Sequence, residues 1–170
     1  LFKAYSINRL SDNLLVNPGF EGGTTGWSKF SGNNPQSVSD PQYIHSGTKS
    51  MGLISTGAIG VRQYVKLKPN TKYRLSAWGR YDVLPDNTGS VDTTVGLKYD
   101  YYDMNGTKVT TEPVMRFTEY EGFVHKNMDI FVEPGADIGT IRVNIYKNGN
   151  KNFYLDDLSL IELGPEVDTI

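Results

Sequence analysis

The chain has 170 residues, a formal net charge of −2 and no cysteine. Disulfides and thiol chemistry are therefore excluded, nothing in the charge points to nucleic acid, and no apolar run reaches the ~20 residues that span a bilayer. The length fits one domain able to bury a real core.

Residues 1–12 alternate weakly and read as a linker or an edge strand. The domain opens at residue 13, where Leu14, Leu15 and Val16 are apolar and Pro18-Gly19 forces a turn ahead of Phe20 and Glu21. Residues 22–32 turn to Gly, Thr and Ser and read as a polar loop, with Trp27 and Phe30 standing out of it. Each of these rings either closes the core or offers a ligand a flat face. Residues 45–53 read as a turn feeding a strand. The runs 61–67 (VRQYVKL) and 73–80 (YRLSAWGR) alternate, which predicts half-buried strands with Tyr73, Leu75 and Ala77 on one side and Trp78 on the other.

Residues 85–89 (PDNTG) read as a loop and 91–102 as a long strand. Asn105-Gly106 is a hairpin signal, and 108–117 is the returning strand. Three more strands are expected at 123–132, 139–147 and 152–163, and 164–170 read as the start of a linker. Eight to ten short strands without helical periodicity predict an all-β domain over 13–163, a β-sandwich of the jelly-roll kind made of two antiparallel sheets.

Strand parity then sorts side chains. With Ile141, Val143 and Ile145 on the core, Arg142, Asn144 and Tyr146 share the other face. With Val95 and Leu97 inward, Lys98, Asp100 and Tyr102 face outward. Asp156 shares parity with Leu158 and Leu160 and is expected inward, whereas Asp157 is expected outward. A carboxylate inside an apolar strand is costly unless a cation or hydrogen bonds compensate it. Glu21 near the start and Asp156 near the end thus point to two chain ends meeting at a metal.

NLLVNPGFE followed by GW, then HSGTKS, LKPNTKYRLSAWGRYD and FYLDDLSLIEL, in this order, resemble the calcium-containing jelly-roll carbohydrate-binding modules of the 4/9/16/22 group, family 16 most of all. The resemblance spans residues 13–163. It implies a structural calcium held by the side chains of Glu21 and Asp156 and by backbone carbonyls near Gly19 and Lys49, a set of oxygens that suits calcium. It implies a polysaccharide ligand lying across a concave sheet between two aromatic platforms, here Phe30 and Tyr146. Two glutamines of the family pattern fall on Lys98 and Thr110, which puts the family's β-1,4-linked glucan or mannan specificity in doubt.

Lys98 and Arg142 would favour an anionic polysaccharide, since a guanidinium can hold a carboxylate bidentately. Asp100, Tyr102, Asn144 and Thr110 are further expected contacts, with Trp27 and Trp78 as aromatic candidates. The chain starts at Leu1 without a signal peptide. It is therefore expected to be one module of a longer, secreted or cell-surface bacterial protein, fused to a polysaccharide-degrading enzyme.

Two other functions share the fold signals. A spacer or adhesion domain would use calcium for rigidity and bind nothing. A lyase or hydrolase would need a paired acid and base, and neither His45 and His125 nor Asp100, Asp103, Glu119 and Glu121 form a pair by spacing.

Overall fold

The computed structural model describes residues 4–82, 91–120 and 122–169. The turn expected at 85–89 lies outside the described residues, as does Glu121. The predicted all-β architecture is present as two antiparallel six-stranded sheets packed face to face.

The first sheet runs β10 (Val124–Val132), β6 (Thr71–Tyr81), β12 (Phe153–Thr169), β4 (Ser50–Leu53) and β3 (Gln36–Val38), with β1 (Ala4–Arg9) also on β12. The second runs β2 (Ser28–Gly32), β5 (Ile59–Tyr64), β11 (Arg142–Gly149), β7 (Val91–Tyr102) and β8 (Lys108–Thr111), with β9 (Val114–Phe117) also on β7.

Among the described residues twelve strands stand where eight to ten were expected. The stretch read as a polar loop contains β2, whose residues are mostly exposed, so no buried face imposes alternation on it. The return after the Asn105-Gly106 hairpin is split into β8 and β9 at Pro113, which has no N–H and whose carbonyl accepts from the Leu97 N–H. β1 pairs antiparallel with the end of β12, Ala4 with Thr169 and Ile7 with Glu166.

Tyr73, Leu75, Ala77 and Tyr81 of β6 face the other sheet's Val61, Val95, Leu97, Val143 and Ile145, all buried. Each fully buried aliphatic side chain contributes about 1.5–3 kcal/mol. Trp27 and Phe20 close the core, with ring centres 5.6 Å apart and the indole N–H donating to the Asn17 carbonyl. Lys147 is fully buried on β11, and its ammonium donates to the carbonyls of Ser55, Gly57 and Gly149. Burial pushes its pKa down, and three carbonyl dipoles offset the cost of the charge.

One irregularity in β12 matters for function. Asp156 pairs with Trp78 and Ser159 with Ser76, so Asp157 and Leu158 together oppose Ala77. This is a β-bulge, with Asp157 at φ 49°. It resets the parity: Leu155 and Leu158 both reach the core, while Asp156 shares the outer face with Trp78. The inward direction expected for Asp156 is therefore wrong. The side chain is nonetheless 0% exposed, because the segment carrying His45 and Ser46 lies over it and both N–H groups donate to its Oδ2.

Candidate functional site

The outer face of the second sheet forms a grid whose rows the register fixes. Tyr64, Arg142 and Lys98 make one row across β5, β11 and β7. Arg62, Asn144 and Gly96 make the next, with Val114 of β9 beside Gly96. Gly60, Tyr146 and Thr94 make the third, with Arg116 beside Thr94. Neighbouring rows are about 7 Å apart along the strands and neighbouring strands about 4.8 Å apart. Over these rows runs a groove of about 350 Å³ lined by Phe30, Thr94, Lys98, Glu112, Val114, Arg116, Asn144 and Tyr146.

Phe30 reaches the groove from β2 by lying on Gly60. A Cβ at position 60 would sit 2.5 Å from the ring, so only glycine admits this contact. The Phe30 and Tyr146 rings are nearly parallel, 21° between planes, with centres 6.4 Å apart. The two rings are therefore neighbours forming one platform, whereas the resemblance implied a ligand lying between two separate ones.

Polar groups surround the platform. Asn144 is 6% exposed and, among the described residues, its Oδ1 has no hydrogen-bond partner; Arg142 Nε, one row away, is likewise buried and unpartnered. The Arg142 Nη1 donates to the Thr140 carbonyl. The Arg62 guanidinium lies 5.7 Å from the Phe30 ring centre and 5.3 Å from that of Tyr64.

Of the expected ligand contacts, Phe30, Tyr146, Lys98 and Asn144 meet in the groove, and Arg142 stands beside it. Asp100 and Thr110 face the same way further along but engage each other: the Thr110 hydroxyl donates to Asp100 Oδ1 at 2.6 Å, and Lys108 lies 3.4 Å from Oδ2. These bonds, the Thr110 one foremost, hold the Asp100 carboxyl below its ordinary range. Tyr102 lies beyond them, lining a separate hollow with Met104 and Glu133.

Neither tryptophan reaches the groove. Trp27 is in the core, for the reason given above. Trp78 stands on the outer face of the other sheet, stacked on His45 at 3.8 Å and on His125 at 4.7 Å. Arg62, Tyr64, Thr94, Val114 and Arg116 were not anticipated. The alternation in VRQYVKL carried the signal for the first two, because Arg62 and Tyr64 are out of phase with the buried Val61, Gln63 and Val65.

A second site lies where the chain's first turn meets β12. Glu21 accepts from the Thr48 N–H and hydroxyl and from the Lys49 N–H, which hold its carboxyl below the usual range. Asp156 behaves oppositely: burial above all, with the neighbouring Asp157 charge adding, pushes it up to about 6. Asp157 Oδ1 and Glu21 Cγ both border Gly19, 3.5 and 4.0 Å from where its Cβ would be. Asp157 also hydrogen bonds His45 Nδ1 at 2.6 Å and accepts from the Ser46 hydroxyl.

Among the described residues no three His, Asp, Glu or Cys side chains form a metal cage. A cation here would draw on backbone carbonyls as well, which is the donor mixture of a calcium site. A buried carboxylate that no side-chain cation pairs with among the described residues fits that role.

The carbohydrate-binding domain model of the 4/9 type matches residues 12–151. The chain belongs to this carbohydrate-binding domain family. Among solved structures, this carbohydrate-binding domain is similar to a family 16 carbohydrate-binding module, at 31% identity and a TM-score of 0.73 over 88% of this chain and 100% of that one.

Two more distant structures share the fold. One is the module TmCBM61 solved with β-1,4-galactotriose, at 24% identity and a TM-score of 0.58 over 89% and 99% of the two chains. The other is the family 22 and glycoside hydrolase 10 pair of Clostridium thermocellum xylanase 10B solved with xylohexaose. It shows 15% identity and a TM-score of 0.65 over 89% of this chain and 29% of that one. The search of curated proteins returned no match. No helix of the described residues is long and apolar enough to cross a membrane.

Proposed function

We propose that this carbohydrate-binding domain is non-catalytic and holds a polysaccharide along the outer face of the second sheet, keeping an attached polysaccharide-degrading enzyme near its substrate outside the cell. The observation that carries the reading is the groove itself, where Phe30, lying on Gly60, and Tyr146 are nearly parallel and Asn144 lines the same hollow. Flat apolar faces suit the apolar faces of sugar rings, and unpartnered polar groups such as Asn144 Oδ1 suit hydroxyls. Tethering raises effective concentration, so modest affinity is enough. Fusion to an enzyme is supported by the xylanase 10B pair, in which a domain of this fold adjoins a hydrolase.

Three of the carboxylates considered for catalysis have other partners. Asp100 is bonded to Thr110, Asp103 accepts from the Asn105 and Thr107 N–H groups in the hairpin turn, and Glu119 is paired with Lys126 at 2.6 Å. In the same reading Glu21 and Asp156, with the carbonyls of Gly19 and Lys49, would hold a structural calcium. The ion would neutralise the buried Asp156 carboxylate together with Glu21 and staple the first turn to the last strand. The chain's own part is to bury Asp156 beneath residues 45 and 46 and to fix Glu21 through Thr48 and Lys49.

Affinity electrophoresis through gels containing β-glucans, mannans, xylans, galactans or uronic-acid polymers tests the function. Retardation by at least one polymer, lost in Tyr146→Ala, is the expected result. Wild-type migration unchanged in every gel would favour a spacer, and falling polymer viscosity would show cleavage.

A further inference from the structure

The grid carries an imbalance of charge. Its face holds Arg62, Lys98, Lys108, Arg116 and Arg142 against Asp92, Asp100 and Glu112, in a chain whose net charge is −2. Arg116 is paired with Asp92 at 2.9 Å, and Lys108 lies 3.4 Å from Asp100. Among the described residues no ion pair takes up Arg62, Lys98 or Arg142. Lys98 and Arg142 are nevertheless direct cross-strand partners, an arrangement in which like charges repel. Asp100 is the nearby carboxylate that feels Arg142, and its oxygens are already engaged. Arg62 completes a triangle on the adjacent strand and row, packed between Phe30 and Tyr64. Arg142 Nε is buried and has no hydrogen-bond partner among the described residues.

Resting on the proposed polysaccharide-binding function, we infer that the groove selects a uronic-acid polysaccharide, with a sugar carboxylate seated among Lys98, Arg142 and Arg62 while a ring of the same chain stacks on Tyr146 and Phe30. A carboxylate offsets the repulsion between Lys98 and Arg142 and supplies acceptors to donors that lack them. A neutral sugar hydroxyl can satisfy a donor but leaves an excess of positive charge among Arg62, Lys98 and Arg142 that Glu112, which lines the groove with Lys98, offsets only in part. The geometry favours a polymer carrying both features, because Lys98 and Tyr146 line one groove.

The experiment compares polygalacturonate, alginate and glucuronoxylan, each against its carboxyl-reduced counterpart, by affinity electrophoresis and calorimetry at low and physiological salt. Dextran sulfate serves as a general polyanion. The expected result is at least tenfold tighter binding of one acidic polymer than of its reduced form, weakening with salt. The acid-to-neutral ratio should collapse towards one in Lys98→Gln and in Arg62→Gln and be retained in Lys98→Arg, with folding of each variant checked by circular dichroism.

Equal binding of acidic and reduced polymers overturns the inference and leaves polysaccharide binding standing, as does a preference that survives both glutamine variants. Dextran sulfate bound as tightly as the best uronate overturns the carboxylate seat in favour of unspecific polyanion attraction. No binding to any polymer removes the proposed function and this inference together.

Discussion

Replacing Gly60 by alanine separates the binding platform from the stability of the sheet. A Cβ at this position would lie 2.5 Å from Phe30 Cζ and 2.6 Å from Cε2. Unbonded carbons rest about 3.5–4.0 Å apart, so the ring must retreat by about 1 Å or more. It can do so, because Phe30 sits on an edge strand and is 38% exposed. Alanine is itself favoured over glycine inside a strand by about 0.5–1 kcal/mol, which offsets the displaced contact.

The free energy of unfolding should therefore stay within about 1 kcal/mol of wild type, measured by chemical denaturation. Binding should not. If a sugar ring covers about 50 Å² of the Phe30 face at ~25 cal/mol per Å², losing it costs about 1.3 kcal/mol, roughly tenfold in Kd. Calorimetry with the polymer that retards the wild type reads this directly. Wild-type affinity in Gly60→Ala would refute the role given to Phe30, and a large loss of stability would show that Phe30 holds β2 to β5 rather than the ligand.

Three further outcomes are expected. Asp156 is pushed up to about 6 in the metal-free fold from an ordinary 3.8, so its burial costs about 3 kcal/mol at pH 7 and nothing below both values. Relative to Asp156→Asn, the metal-free wild type should thus lose stability as pH rises through this range. Calcium should raise the wild-type Tm more at pH 7 than at pH 5, and equal shifts at both would remove Asp156 from the site. Because Trp27 is in the core and Trp78 is stacked between two histidines on the other sheet, intrinsic tryptophan emission should stay constant through a saturating polysaccharide titration; a large change would return one of them to the site. Lys147→Met leaves the carbonyls of Ser55, Gly57 and Gly149 without their donor, and at about 1–3 kcal/mol for each orphaned group the domain should lose about 3 kcal/mol or more in urea unfolding.

Local chemistry decided much of this protein. Alternation in YRLSAWGR and in residues 141–147 dictates which side chains enter the core, so Asn144 and Tyr146 could be placed on the outer face from parity alone. The hairpin at Asn105-Gly106 follows from Gly106 at φ 77°, a conformation glycine adopts at little cost. Parity counts residues along one strand, however, and cannot see a bulge: Asp157 and Leu158 opposing a single Ala77 turned Asp156 to the other face.

Nor does parity say which aromatic meets which. Phe30 belongs to the groove because β2 pairs with β5 and Gly60 leaves room for its ring, while Trp27, three residues earlier, turns back onto Phe20. The triangle of Arg62, Arg142 and Lys98, which no ion pair takes up among the described residues, comes from residues 36 or more apart in sequence. Its charges become neighbours only through the register of three strands, and pairing between strands is a long-range contact that no local pattern encodes.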